Sequence, residues 1–159
     1  LLGPISSEAS LVLDTTQMTI YELRDAIKQR LLKNSSGTMS LLFQSFGFKR
    51  GVPADADLVF DVRMLPNPHW VKELRMKSGL ESEVQEFLES QPLAGELYHD
   101  ICAYLDAWLP RYRDSNRSYM TVALGCTGGQ HRSVYLAERL YRHYSALYPA
   151  LQVRHRELQ

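Results

Sequence analysis

The chain has 159 residues, of which 45% are hydrophobic and 23% are charged, so it can bury one sizeable core or one core with a short piece of a second domain. Lysine plus arginine and aspartate plus glutamate both number 18, and this zero net charge excludes a uniformly basic surface for nucleic acid. The two cysteines exclude a disulfide framework, and no apolar run reaches the roughly 20 residues that span a bilayer. We therefore expect a globular protein without a membrane segment, in a reducing, cytoplasmic setting.

The first part of the chain predicts a strand, a helix and a linker. Residues 11–13 are apolar and predict a short strand, while Thr19 and Glu22 have the spacing of a capping box at the start of a helix. The polar residues 33–37 end that helix and predict a domain boundary. Since the sequence begins at Leu1 rather than at methionine, we expect a piece of a longer protein.

The rest of the chain alternates between strand and helix patterns, which predicts an α/β fold with a mainly parallel sheet flanked by helices. In such sheets ligands collect at the carboxyl ends of the strands. A further strand is predicted to begin at Tyr119 and to lead into a glycine-rich turn. The other predicted strands cover residues 39–46, 58–63 and 151–156, and the predicted helices cover 81–89, 96–111 and 134–145.

The glycine-rich turn, at residues 126–133, is the strongest functional signal. Gly128 and Gly129 permit positive φ, so several backbone amides can converge there, and the following helix adds its positive dipole end. Arg132 adds a fixed charge whose fork geometry suits two phosphate oxygens. A tight turn needs glycine whatever its function, but the combination predicts an anion site, in the first place for phosphate.

Loops after three strands are predicted to meet at one edge of the sheet. If these strands are parallel neighbours, their side chains face one crevice rich in donors for phosphate and sugar hydroxyls. His69 beside Trp70 also fits a packed loop residue, and Lys49 with Arg50 also fits a solvated loop tip, so both alternatives stay open. The candidates for the crevice are Lys49, Arg63, His69, His131 and Arg132.

The same turn has the Cys-x5-Arg-Ser spacing of cysteine-dependent phosphatases, through Cys126, Arg132 and Ser133. In those enzymes a thiolate of lowered pKa attacks phosphorus. Against this interpretation, Gly125 precedes the cysteine in place of the usual histidine, and no Trp-Pro-Asp segment supplies a proton to the leaving group. A small buried thiol at the entrance of the loop is the alternative, and we expect no catalytic residue.

Six segments, in order along the chain, resemble the RapZ/YvcJ family. They are residues 45–49, 55–57, 59–63, 65–70, 116–119 and 125–133. The resemblance implies that 1–37 is the tail and linker of a truncated N-terminal nucleotide-binding domain, and that 38–159 is a C-terminal RNA-binding and sugar-phosphate-sensing domain. Since the P-loop pattern of the family is absent from this chain, ATP or GTP is expected only in the missing N-terminal domain, with no cofactor or metal here.

The resemblance further implies an adapter, not an enzyme, that binds regulatory small RNA, presents it to the endoribonuclease RNase E and senses glucosamine-6-phosphate. The alternatives are a metabolite sensor that acts through protein partners without RNA, and a cysteine phosphatase. A homo-oligomer is implied, a tetramer for the full-length family and a dimer as the alternative for this piece. The family's basic C-terminus has no counterpart after Gln159, so we expect weaker RNA binding than in a member with that tail.

The implied site residues fall into two groups. The sugar phosphate is expected at His69, Cys126, Thr127, Gly128, Gly129, Gln130, His131, Arg132 and Ser133. The RNA phosphates are expected at Lys49, Arg50, Arg63, Arg75, Lys77, Arg154 and Arg156, which would position the RNA without reading its sequence.

Overall fold

The computed structural model describes residues 38–158, together with 15, 16, 18–20, 22–24 and 27. The chain divides into two compact units, Leu1–Asn34 and Ser35–Gln159. The strand predicted at 11–13 and the boundary predicted at 33–37 lie outside the described residues, and the assignment of 1–37 and 38–159 to two domains stays a prediction. Among the described residues, no helix is both long enough and apolar enough to cross a bilayer.

In the first unit the capping box is present as predicted. The Thr19 amide donates to Glu22 Oε2 at 2.7 Å, and the Glu22 amide donates to Thr19 Oγ1 at 3.2 Å. Each side chain therefore satisfies a backbone donor that the first turn of a helix leaves without an intrahelical partner.

Within residues 38–158, four strands form one parallel sheet. They are β1 (Ser40–Gly47), β2 (Leu58–Asp61), β3 (Tyr119–Cys126) and β4 (Leu151–His155), in the order β2–β3–β1–β4 across the sheet. The pairs of β1 with β3, β1 with β4 and β2 with β3 are all parallel, so the predicted fold class is confirmed. The two central strands are buried almost throughout, as expected when both faces of a parallel sheet are covered.

Three helices flank the sheet in this part of the chain, namely α1 (Ser82–Glu89), α2 (Pro92–Asp114) and α3 (Arg132–Tyr144). Helix α2 begins four residues before its predicted start, because Pro92 has no amide hydrogen to lose and fits the first turn. Strand β2 ends two residues before its predicted end. There the Asp61 side chain accepts the Arg63 amide at 2.9 Å and turns the chain.

Two short 3-10 turns, Phe48–Arg50 and Pro68–Trp70, follow β1 and β2. Since the strands are parallel, the ends of β1, β2, β3 and β4 lie at the same edge of the sheet. In the register of the central pair, Gly47 lies opposite Cys126, so the turn after β1 begins beside the glycine-rich turn after β3. The fold therefore brings the loops with candidate ligand-binding residues to one edge.

Candidate functional site

A cavity of about 390 Å³ opens at this edge. Its volume falls within the range of small-molecule sites, and its lining comes from the loops after β1, β2 and β3. The three loops predicted to lie together at one edge do so in the structure, although Arg63 is not a lining residue. The lining residues are Lys49, Asn67, His69, Trp70, Cys126, Thr127, Gly128, Gln130, His131 and Arg132.

The glycine-rich turn is held in place by backbone contact with the end of β1. A Cβ atom on Gly47 would lie 2.7 Å from the Gly128 carbonyl carbon, so no side chain fits between the two segments. Gly129 has a φ of 75°, in the left-handed region that favours glycine. Gly128, in contrast, faces open space. The turn thus has one side against the protein and one side towards the cavity.

Arg132 is the first residue of α3, and its guanidinium is anchored on one side only. Its Nη1 donates to the Arg63 carbonyl at 2.6 Å and to the Leu65 carbonyl at 3.0 Å, and Nη2 donates to Thr127 Oγ1 at 3.3 Å. The residue is 4% exposed, and its Nε atom is buried without a partner among the described residues. A buried donor without an acceptor is costly, so this edge of the guanidinium suits a ligand oxygen.

Cys126 lies at the end of β3 and receives the hydrogen bonds of its own loop. The Gly129 amide donates to its Sγ atom at 3.2 Å, and Ser133 Oγ lies 3.2 Å from the same sulfur. Burial raises the pKa of the thiol, but hydrogen bonds from the Ser133 hydroxyl and from the Ser133 and Gly129 amides, with the charge of Arg132, outweigh burial and lower it. The sulfur therefore has the surroundings of a thiolate.

The two histidines of the cavity differ in their surroundings. His131 is 7% exposed, and its Nε2 donates to the Leu74 carbonyl at 3.2 Å, which leaves Nδ1 as an acceptor. Burial is the main reason why the pKa of His131 is lowered; the nearby His69 and Arg132 add to this effect, while hydrogen bonds with the Leu74 and Lys77 backbones oppose it. His69 is exposed, and the two ring centroids are 6.4 Å apart.

The lowered pKa of His131 predicts a pH dependence of folding stability. Because an unfolded histidine titrates near pH 6.5, the unfolded chain binds a proton before the folded chain does. The stabilisation is therefore complete above about pH 6.5 and is lost as the pH falls towards the folded pKa, with a slope of at most about 1.4 kcal/mol per pH unit. His131→Gln keeps a donor for Leu74, so urea denaturation should show a flatter profile between pH 7 and pH 5. An unchanged profile would contradict the assignment.

Several residues predicted for the sugar phosphate or its crevice do not line the cavity. Gly129 and Ser133 contact the Cys126 sulfur and are not lining residues. Arg63 pairs with Asp61 through Nη2 at 2.7 Å and lies over the Phe48 ring. Their roles in ligand binding stay predictions, and direct contact with a ligand would require these internal contacts to change.

The cavity also contains residues outside the set predicted for the sugar phosphate. Lys49, which the sequence suggested both for the crevice and for RNA, is a lining residue, and so are Asn67 and Trp70. Trp70 is 78% exposed, and its backbone belongs to the 3-10 turn Pro68–Trp70. The Asn67 side chain stabilises this turn, because its Oδ1 accepts a hydrogen bond from the His69 amide. The prolines around this segment indicated a rigid loop, but no local pattern indicates that an indole ring lies at the cavity.

Glu157 was not among the residues predicted for the site, and its side chain lies beside the glycine-rich turn. Its Oε1 accepts the Gly47 amide at 3.2 Å and Arg156 Nε at 2.8 Å, and Arg50 Nη1 lies 3.4 Å from Oε2. Burial raises the pKa of this carboxyl, but the hydrogen bonds from Arg156 and Gly47 and the charges of Arg156 and Arg50 lower it overall. The buried carboxylate thus ties the end of β4 to the turns after β1 and β3.

The basic residues predicted for RNA differ in their surroundings. Lys49 and Arg50 are exposed on the turn after β1, while Arg156 donates to the Gly47 and Gly51 carbonyls and is partly buried. The others have their own surroundings: Arg75 donates to the His69 carbonyl, Lys77 pairs with Glu83, and Arg154 is exposed on β4. Their contact with RNA stays a prediction.

Comparison with known proteins supports the resemblance seen in the sequence. Residues 39–159 match the RapZ C-terminal domain family. A nucleotide-binding protein of Cellvibrio japonicus is 54% identical over 158 residues, which cover 99% of this chain and 53% of that protein. Nucleotide-binding proteins of Pseudomonas putida GB-1 and Pseudomonas fluorescens Pf0-1 are 55% and 56% identical, again over 99% of this chain and over 56% and 55% of their own lengths. The chain spans about half the length of the curated relatives it matches.

Proposed function

Because this chain belongs to the RapZ C-terminal domain family, we propose that it is a binding domain that senses a sugar phosphate and carries regulatory small RNA. The sugar phosphate occupies the cavity at the carboxyl edge of the sheet, and we propose glucosamine-6-phosphate as its identity. RNA uses the same anion chemistry over the surrounding surface. Binding of the sugar phosphate and binding of RNA are supported by different observations.

The observation that carries the metabolite half is the unpartnered Nε of Arg132. Arg132 lines the cavity, which also contains the positive end of α3 and the open side of Gly128, and its Nε is buried there without an acceptor among the described residues. The Nε and Nη2 edge of the guanidinium offers two parallel donors to two phosphate oxygens. A cavity of about 390 Å³ has room for a sugar ring beyond the phosphate. His69, neutral His131 and Asn67 then face the ring hydroxyl or amino groups.

The cavity favours binding over catalysis. Among its described lining residues there is no aspartate or glutamate to protonate the leaving group of a phosphate ester. The Gly129 amide, which would hold a phosphoryl group in a phosphatase loop, donates to the Cys126 sulfur. We therefore propose no hydrolytic activity, and release of phosphate from a monoester that Cys126→Ser abolishes would overturn this part.

The RNA half rests on exposed cations beside the cavity. Lys49 and Arg50 are exposed on the turn after β1, and Arg75 is exposed near His69, so one RNA backbone can follow this edge. Such contacts are with phosphates and suit recognition of a folded RNA by its shape. Since Lys49 also lines the cavity, the metabolite and the RNA compete for one surface. The alternative function is a metabolite sensor that acts through protein partners alone, in which case the metabolite and RNA would not compete.

The remaining assignments concern the whole protein. The relatives are named nucleotide-binding proteins, and a Gly-x4-Gly-Lys-Ser/Thr pattern is absent from this chain, so we propose that nucleotide binding belongs to the part of those relatives that this chain does not match. Presentation of RNA to RNase E, a homo-oligomer and a cytoplasmic location complete the proposal. The two free cysteines, Cys102 and Cys126, fit such a reducing compartment.

The RNA half predicts a specific salt dependence. A small structured RNA should bind in a filter assay, with an affinity that falls as salt rises, and saturating glucosamine-6-phosphate should displace it. The variant Lys49→Ala with Arg50→Ala should reduce the slope of log affinity against log salt by about 2, because about one counterion is released per phosphate contact. Arg142→Ala, an exposed position near the end of α3, is the matched control and should leave the slope unchanged.

Two results would count against this half. If RNA is not retained at low salt, the sensor without RNA becomes the function. If RNA binds but saturating glucosamine-6-phosphate leaves its affinity unchanged, the shared surface is wrong even though both ligands bind.

A further inference from the structure

We propose that Cys126 is a modification site, at which the thiolate on the floor of the anion cavity reacts with hydrogen peroxide to give a sulfenic acid. The proposal goes beyond ligand binding, because it concerns a covalent reaction of the protein with an oxidant. It rests on the donors around the sulfur and, independently, on the unpartnered guanidinium edge in the same cavity.

The surroundings of the sulfur form the first observation. Cys126 is 2% exposed and is one of the residues that line the cavity. The Gly129 amide and Ser133 Oγ both lie 3.2 Å from Sγ. A neutral thiol is a weak acceptor and does not need such donors, whereas a thiolate is stabilised by them.

The second observation is the guanidinium of Arg132. It is 96% buried, its Nη atoms are anchored, and its Nε has no partner among the described residues. A fixed positive charge in the cavity favours the thiolate and also stabilises negative charge on a departing oxygen. The lowered pKa of Cys126 agrees with this arrangement, because burial alone would raise the pKa, and the hydrogen bonds from Ser133 and Gly129, together with the charge of Arg132, reverse that effect.

Cys102 provides an internal contrast. It lies in α2, is also buried, and does not line the cavity. Burial raises the pKa of its thiol, and the hydrogen bonds from Tyr98 and Tyr144 do not reverse this effect. The same chain therefore contains one thiol in electropositive surroundings and one in the apolar core, which differ in expected reactivity although both are buried.

The reaction balances without a further reagent. The thiolate sulfur attacks one oxygen of hydrogen peroxide, an S–O bond forms, and the O–O bond breaks. The sulfur loses two electrons, and the departing oxygen leaves as hydroxide, which takes up the proton that the thiol released to the solvent when it ionised. The product is Cys126 sulfenic acid and one water molecule, and a thiol reductant returns it to the thiol.

The test uses the whole chain with hydrogen peroxide and a cyclic 1,3-dione, which traps sulfenic acids, followed by peptide mass spectrometry. Cys126 should be labelled at least about tenfold faster than Cys102, and Ser133→Ala should slow the labelling of Cys126. Cys102→Ser should leave it unchanged, and circular dichroism should show that each variant is folded. Equal labelling of the two cysteines, or no label at Cys126, would overturn the proposal.

A second arm separates this proposal from the proposed function. Inorganic phosphate at high concentration should slow the labelling of Cys126 without affecting Cys102, because an anion on Arg132 covers the sulfur. If labelling of Cys126 is fast but phosphate does not slow it, the anion site fails and the reactive thiolate stands. If Cys126 is inert, the thiolate fails whatever a titration with phosphate shows.

Discussion

Arg132→Ala is expected to abolish detectable binding of glucosamine-6-phosphate, with a loss of affinity of at least about 100-fold. A hydrogen bond to a charged group contributes about 1.5–3 kcal/mol, and this guanidinium can offer two, one from the unpartnered Nε and one from the second hydrogen of Nη2, whose other hydrogen is donated to Thr127. Their combined loss, about 3–6 kcal/mol, exceeds the roughly 2.8 kcal/mol that corresponds to 100-fold. Calorimetric titration of the wild type and the variant measures the change directly.

Removal of Arg132 also leaves the Arg63 and Leu65 carbonyls without their donor, so the alanine variant needs a folded control. Arg132→Lys keeps the charge and can reach one carbonyl, but it cannot present two parallel donors, and we expect it to fold and to bind at least about tenfold more weakly. Arg142→Ala, at the other end of α3, should bind as the wild type does. Undiminished affinity in a folded Arg132→Ala protein would exclude this cavity as the phosphate site.

Gly129→Ala is expected to destabilise the fold by about 2 to 5 kcal/mol, since a left-handed residue with a side chain costs about 1–2 kcal/mol and overpacking adds about 1–3. The added methyl group would lie 2.5 Å from the Gly47 amide nitrogen and 2.8 Å from the Phe46 carbonyl carbon, neither of which can move without distorting β1. Urea denaturation should therefore show a lower midpoint. We also expect weaker binding of glucosamine-6-phosphate, because the turn loses its conformation when the Gly129 amide no longer reaches the Cys126 sulfur.

Gly128→Ala is the matched comparison, one residue away in the same turn. A Cβ atom there meets nothing within 4 Å, so we expect a change in the free energy of unfolding of less than about 1 kcal/mol. Because that methyl group would project into open space at the cavity, any loss of ligand affinity should occur without loss of stability. Equal destabilisation by the two substitutions would show that backbone conformation and close contact do not hold the turn.

The fold class could be predicted from the sequence because it depends on local hydrophobic patterns. Buried apolar runs separated by amphipathic segments predict parallel strands and helices, and the structure has that arrangement in residues 38–158. Helix α2 begins earlier than predicted because of Pro92, and strand β2 ends earlier than predicted because of Asp61, so a single residue determines each boundary. These boundaries depend on one hydrogen bond or one missing donor, which periodicity does not reveal.

The site was predictable in its location but not in its internal hydrogen bonding. Two adjacent glycines and Arg132 in one strand–turn–helix segment predicted an anion site. The hydrogen bond from the Gly129 amide to the Cys126 sulfur is local, but it depends on the backbone conformation of the turn, which spacing alone does not specify. The bonds from Nη1 of Arg132 to two carbonyls depend on a segment distant in the sequence. Glu157 was missed for the same reason, since its role arises only where the end of β4 meets the turn after β1.

The most direct measurement is a crystal structure of this chain with glucosamine-6-phosphate. We expect the phosphate group in the cavity, with one oxygen about 2.7–3.0 Å from Nε of Arg132 and the sugar ring between the glycine-rich turn and the segment that contains His69 and Trp70. A sugar phosphate bound at another surface, or a phosphate in the cavity with Nε still without an acceptor, would contradict the central claim.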